Sequence, residues 1–86
     1  MKPELTVDAN GTKHWQLNGK YHRTDGPAYE CLNAKFWYIN NRLHRIDGPA
    51  CEYSDGLKNW YIKGNPLTEQ QWLSKVLFDN VKISLI

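Results

Sequence analysis

Residues 18–28 read NGKYHRTDGPA and residues 40–50 read NNRLHRIDGPA, the same frame at a spacing of 22. A third, partial copy begins at Trp60, where WYIKG answers WYINN from Trp37. A unit this short cannot bury an apolar face by itself; it becomes stable by stacking on its neighbours. Chains built this way usually work by displaying a surface, and the repeat therefore directs attention to faces rather than to a cleft.

Aligning the copies on Trp15, Trp37 and Trp60 places Leu17, Ile39 and Ile62 two residues later and Lys13, Lys35 and Lys58 two residues earlier. Turn residues flank each Trp four positions away: Gly11, Asn33 and Gly56 before it, Gly19, Asn41 and Gly64 after it. Period-two alternation between Gly and Asn, the residues that best tolerate positive φ, predicts antiparallel β-hairpins. Each unit reads as strand, turn, Trp-bearing strand, turn, short His-Arg strand and an Asp-Gly-Pro turn. Pro27 and Pro49 belong at strand edges or starts, since they donate nothing to a ladder.

The alternation sorts the side chains onto two faces. One carries Lys, Trp and Leu/Ile, with Glu30 expected opposite Lys35 and Glu52 opposite Lys58. Trp37 is expected to be buried on this face between neighbouring Trp-bearing strands. The other face carries His14 and Gln16 in copy one, Phe36 and Tyr38 in copy two, and Asn59 and Tyr61 in copy three. Tyr29, Cys31, Cys51 and Tyr53 join it. The Trp face repeats, as a common core would. The other face varies, as a recognition surface would.

The repeat stops where Leu67 and Thr68 replace the His-Arg pair. A helix is predicted over 68–79, with Thr68 as N-cap, Gln71 completing a capping box, and Trp72, Leu73, Val76 and Leu77 as its apolar stripe. It would cover the last Trp strand and blunt a sheet edge. The tail 80–86 alternates from Val81 to Leu85 and is a strand candidate that could mediate homo-oligomerisation. The 86 residues thus divide into repeats at about 7–28, 29–50 and 51–67, a helix and a tail, within a single domain (1–86).

A net charge of +2 is too mild for a dedicated nucleic-acid binder. No stretch approaches a membrane span. The start MKPELT has no apolar run, so no signal peptide is expected and a cytoplasmic location follows. Cys31 and Cys51 fall two residues out of step on equivalent strands, about 9–10 Å apart, beyond disulfide reach; free thiols are expected. His-Arg-x-Asp departs from the kinase His-Arg-Asp by one residue, and no Gly-rich loop or Asp-Phe-Gly accompanies it. No His or Cys pair has metal-ligand spacing. No catalytic residue, metal or cofactor is expected. Asp25 and Asp47 are instead expected to anchor their turns, Arg23 and Arg45 to pair with them or with the following Glu, and His22 and His44 to pack beside Trp.

The stretch from Trp37 to Tyr61 resembles a family of tandem hairpin repeats found mostly in uncharacterised proteins of bacteriophages and large DNA viruses. Its unit is W-Y-x-N-G-x-x-H-R-x-D-G-P-A, closing with a helix after L-T-x-x-x-[W/F]. The likeness spans roughly residues 11–73 and is similar, more distantly, to MORN repeats and YwqK-type antitoxin-like proteins. Asn41 stands where the family has Gly, and copy two is one residue shorter than copy three between Pro and Trp. The resemblance implies a mainly β fold, an antiparallel MORN-like hairpin sheet with a C-terminal capping helix, and no catalytic residues. Together these readings point to a non-enzymatic protein-interaction module, phage-encoded, that binds a host protein such as a defence or transcription component in the host cytoplasm. Phe36, Tyr38, Tyr53, Tyr61, Arg42 and Arg45 are its candidate contact residues. Trp15, Trp37, Trp60, Asp25, Asp47, His22, His44 and Arg23 are its scaffold. The alternatives are a sponge for nucleotides or other small ligands, with aromatic rings stacking bases and Arg meeting phosphate, and an antitoxin-like or RNA-binding module.

Overall fold

The computed structural model describes residues 2–79, with side chains as far as Leu77. The tail proposed as a strand lies outside the described residues. The chain is mainly antiparallel β. Its strands are β1 (Glu4–Val7), β2 (Lys13–Leu17), β3 (Lys20–Tyr21), β4 (Tyr29–Glu30), β5 (Ala34–Phe36), β6 (Tyr38–Ile39), β7 (Arg42–Leu43), β8 (Cys51–Tyr53), β9 (Lys58–Ile62) and β10 (Asn65–Leu67), followed by α1 (Glu69–Asp79). The main sheet runs β1-β2-β4-β5-β8-β9-β10, β3 pairs with β2, and β6-β7 form a separate hairpin. The molecule measures 41 × 34 × 17 Å, a flat sheet with the helix against its β9-β10 end.

The turns follow the local chemistry. Asn18-Gly19, Asn40-Asn41 and Lys63-Gly64 all have positive φ at both positions, the geometry that suits two-residue hairpins to strand twist. Asn41 fills a Gly position at φ 66 and compensates through its side chain, whose Oδ1 accepts the Tyr21 N–H at 2.8 Å. Gly11 and Gly56 are also left-handed, but Asn33 is not. The shorter loop of copy two closes directly from Cys31 N–H to the Ala34 carbonyl (2.9 Å) and makes no such demand. The expected registers hold, with Glu30 opposite Lys35 and Glu52 opposite Lys58.

At each Trp the strand changes partner. Trp15 and Trp37 donate their N–H to the carbonyls of Ala28 and Ala50, while their own carbonyls accept from His22 and His44. Before each Trp the strand pairs with a segment that follows an Asp-Gly-Pro turn, and after it with the next strand of its own hairpin. Successive hairpins are then stitched together. Arg23 N–H donates to Tyr38 O and Asn41 N–H to Tyr21 O; one repeat later, Arg45 N–H donates to Tyr61 O and Gly64 N–H to Leu43 O. The repeated histidines complete these seams. His22 Nδ1 accepts the Asn40 N–H (3.2 Å), and His44 Nδ1 accepts the Lys63 N–H (2.9 Å). Both rings are buried, so each satisfies a turn amide that the next repeat would otherwise leave unpaired.

The Trp residues are placed differently from the expectation. β8 lies between β5 and β9, so Trp37 is not packed between Trp-bearing strands; it is half-buried beneath a guanidinium. Arg23 Cζ lies 4.1 Å from the Trp15 ring centroid and Arg45 Cζ 3.8 Å from that of Trp37. Each arginine also donates from Nε to its Asp (Asp25, 2.9 Å; Asp47, 2.8 Å) and from Nη1 to its Pro carbonyl (Pro27, 3.1 Å; Pro49, 3.0 Å). Arg45 Nη1 reaches Glu52 as well, at 3.0 Å. The buried apolar positions are Ala28, Ala50, Cys51, Ile62 and Trp72, a thin line rather than a broad core.

This clasp explains the glycine of Asp-Gly-Pro. Gly48 does not have positive φ among the described residues, but a Cβ there would lie 2.7 Å from Arg45 Cζ. Gly48→Ala is therefore expected to push the guanidinium off Trp37 and to cost about 1–3 kcal/mol, measured by urea unfolding. In an Arg45→Ala background the same change should be nearly neutral, because nothing remains to displace.

Copy three lacks the arginine, and α1 takes its place. Trp72 packs on Trp60 with ring centroids 4.6 Å apart, and its Nε1–H donates to the Arg45 carbonyl at 2.8 Å. The capping box forms as expected: Gln71 N–H donates to Thr68 Oγ1 (3.1 Å) and Thr68 N–H to Gln71 Oε1 (2.9 Å). The helix thus packs on the Trp face of β9 and β10, and no element of the described residues is layered on the opposite face. No helix among the described residues is long and apolar enough to cross a membrane.

Candidate functional site

Cross-strand partners project from the same side of a sheet, so the register identifies the residues on each face. One row runs Thr6, His14, Tyr29, Phe36, Cys51, Asn59 across six strands. Gln16 and Tyr21 pair beside it, as do Ala34 and Tyr53. The rings meet. Tyr29 lies 5.4 Å from Phe36, Phe36 5.7 Å from Tyr53 and 6.5 Å from Tyr38, and Tyr38 is stacked on Tyr21 at 5.3 Å and 27°. His14 closes the other end against Tyr29 (5.3 Å, edge-on) and Tyr21 (5.9 Å). Offset and edge-to-face pairs at these separations contribute about 0.5–1.5 kcal/mol each beyond the area they bury. The result is a continuous, preorganised aromatic surface whose rings are all half-buried.

Its centre is uncharged. Desolvation, followed by nearby thiols and neighbouring phenols, pushes the Tyr29, Tyr38 and Tyr53 hydroxyls up from their ordinary value. Burial pushes the Cys51 thiol up as well. Cys31 and Cys51 are both free.

One edge of the surface is fixed by a chain of hydrogen bonds. The Asp8 carboxylate accepts from the Asn10 and Thr12 amides (2.9 and 3.1 Å) through Oδ1, and its Oδ2 lies 3.0 Å from His14 Nε2. His14 Nδ1 lies 2.8 Å from the Tyr21 hydroxyl. With the imidazole neutral, Nε2–H donates to Asp8 and the phenol donates to Nδ1, which orients the Tyr21 ring for its stack on Tyr38. The His14 bond, ahead of the backbone amides, holds the Asp8 carboxyl below its ordinary value. A carboxyl lowered in the folded state stabilises the fold above its unfolded pKa, and that contribution disappears as pH falls through the folded one. Acid unfolding should therefore begin at lower stability, and change less steeply below the ordinary aspartate range, in Asp8→Asn than in the native chain; circular dichroism against pH measures it.

The structure brings Phe36, Tyr38 and Tyr53 together. Tyr61 shares their face, two residues beyond Asn59 on β9 and near enough to Tyr53 to influence its hydroxyl. Arg42 and Arg45 do not join them. Arg42 pairs with Ile39 on the Trp face, and Arg45 is committed to Trp37, Asp47, Pro49 and Glu52. Tyr21 and Tyr29 belong to the surface although neither is among the contact residues expected from sequence. The signal for Tyr21 was the two-residue Asn18-Gly19 turn, which sets it opposite Gln16.

The other face is charged. Lys13, Glu30, Lys35, Glu52 and Lys58 follow one another across the strands with alternating sign. A notch of about 330 Å³ opens there between successive Asp-Gly-Pro turns, lined by Arg23, Asp25, Trp37, His44, Arg45 and Asp47. Each guanidinium in it is already paired with its own aspartate, so the notch offers little net charge to a ligand. Among the described residues no group of three or more His, Cys, Asp or Glu is placed to hold a metal ion. Comparison with protein-family models, with curated protein sequences and with solved structures finds no match to this chain.

Proposed function

We propose that the chain is a non-enzymatic protein-interaction module that engages a partner protein through the aromatic face. The observation that carries this reading is a connected surface of rings on which no element of the described residues is layered, in a fold whose repeated residues are consumed by the scaffold. The backbone does not require those rings: Gln16 occupies in copy one the position of Tyr38 and Tyr61. If the chain is phage-encoded, as its repeat signature implies, the partner is a host protein such as a defence or transcription component. The nucleotide-sponge and RNA readings need phosphate-facing cations beside the stacking rings, and Arg23, Arg42 and Arg45 lie on the other side of the sheet.

The test is a pull-down from host lysate with the native chain and the Tyr38→Ala, Tyr61→Ala double variant in parallel, followed by mass spectrometry of proteins and extracted small molecules. A protein held by the native chain and lost by the folded variant supports the reading. Loss of a small molecule instead favours the sponge. An identical set of captured molecules removes the aromatic face from consideration.

A further inference from the structure

The charged side chains of the strands segregate by face. Lys13, Lys35 and Lys58 share the Trp face with Glu30 and Glu52, Lys20 shares it through Leu17, and Arg42 shares it through Ile39. Arg23 and Arg45 lie on Trp rings of that same face. No strand lysine or arginine among the described residues projects from the aromatic side. Carboxylates do border it. Glu4 shares that side through Gln16 and Tyr21, Asp8 is bonded to His14, and Asp55, in the loop before β9, acts on the Tyr53 hydroxyl. In a chain of net charge +2, the strand cations thus lie on the face opposite the rings.

Ring faces carry negative quadrupole potential, and phenol oxygens accept hydrogen bonds. With carboxylates at the border and strand cations confined to the other side, such a surface repels phosphate and attracts cations. Arginine fits better than lysine, because its planar guanidinium stacks on a ring while its edge still reaches a carboxylate. The chain does this twice internally, where Arg23 and Arg45 lie 4.1 and 3.8 Å from Trp centroids and bond Asp25 and Asp47 at the guanidinium edge.

We propose that the aromatic face receives an arginine-rich segment of the partner protein, its guanidinium groups stacked on Tyr21, Tyr38, Tyr29 and Tyr53 and paired with Glu4, Asp8 and Asp55. The proposal rests on the reading of this face as the contact surface and adds the chemistry of what it contacts.

Titrations followed by NMR of the tyrosine ring resonances test it, using hexa-arginine, hexa-lysine, hexa-glutamate and a single-stranded oligonucleotide as probes at physiological salt. Hexa-arginine is expected to shift the rings of Tyr21, Tyr38 and Tyr53 and to bind about tenfold more tightly than hexa-lysine. Glu4→Lys, on an exposed edge strand, should weaken that binding several-fold while leaving the fold unchanged. Hexa-glutamate or the oligonucleotide shifting these rings in place of hexa-arginine overturns the proposal yet leaves the face a contact surface. Hexa-arginine shifting only residues of the Lys–Glu row overturns it too, as does a titration in which no probe moves the rings. The parallel pull-down with the Tyr38, Tyr61 variant decides separately whether the face binds anything.

Discussion

Arg45→Ala is expected to destabilise the fold by about 2–4 kcal/mol, from the lost stack on Trp37 together with the charge-assisted hydrogen bonds. A domain of this size with a thin core has only a few kcal/mol in hand, so the variant should sit near the edge of unfolding at room temperature. The effect does not come mainly from the ion pair with Asp47. That carboxylate is 80% exposed, whereas the Arg45 side chain is 17% exposed, and an exposed pair contributes only about 0–1 kcal/mol. Asp47→Ala should therefore cost clearly less than Arg45→Ala. Arg45→Lys should not rescue it: an ammonium keeps the charge but cannot lie flat on Trp37 while reaching Asp47, Pro49 and Glu52 together. Arg23→Ala should cost less than Arg45→Ala, since Arg45 gains the additional bond to Glu52. Urea unfolding of this series separates the stacked clasp from a simple surface salt bridge. Equal loss in Asp47→Ala and Arg45→Ala would mean that the pair, and not the stack, holds the turn.

The second large effect concerns binding. Tyr38→Ala with Tyr61→Ala should weaken partner affinity by well over tenfold, because truncating a buried hot-spot aromatic typically costs at least about 2 kcal/mol. The fold should survive. Tyr38 gives up its stack on Tyr21 and its edge contact with Phe36, about 0.5–1.5 kcal/mol per pair, but none of the seam hydrogen bonds, which use backbone atoms and the His22 and His44 rings. Far-ultraviolet circular dichroism should remain native. Lys35→Ala with Lys58→Ala, a matched change on the opposite face, should leave affinity within about twofold. If both double variants bind as the native chain does, the exposed Leu73 and Leu77 of α1 become the next surface to test.

The sequence made some of this legible and hid the rest for definable reasons. The Glu30–Lys35 and Glu52–Lys58 registers were readable because alternation and short loops leave a hairpin no other pairing. The Thr68–Gln71 box was readable because it is a local motif. The division into two faces was readable because side chains alternate. The roles of Trp37 and Arg45 were not, because each Trp strand changes partner at the Trp itself, and alternation says nothing about which neighbour a backbone carbonyl meets. The same switch conceals the histidines: His22 and His44 bond amides 18 and 19 residues away across a seam between hairpins. Sequence alone leaves Arg42 and Arg45 free to join the aromatic patch; the face assignment of β7 and the clasp over Trp37 separate them from it. Asp8, His14 and Tyr21 come together from the β1–β2 turn, β2 and β3, so no single stretch announces them.

Chemical footprinting of the chain alone and bound to its captured partner shows which face makes the contact, because tyrosine and lysine reagents report the two faces in one sample. Tyr21, Tyr38 and Tyr53 are expected to become protected on binding, while Lys13, Lys35 and Lys58 react as they do in the free chain. Protection of the lysine row with unchanged tyrosine reactivity would contradict this expectation, and would place the partner on the charged face instead.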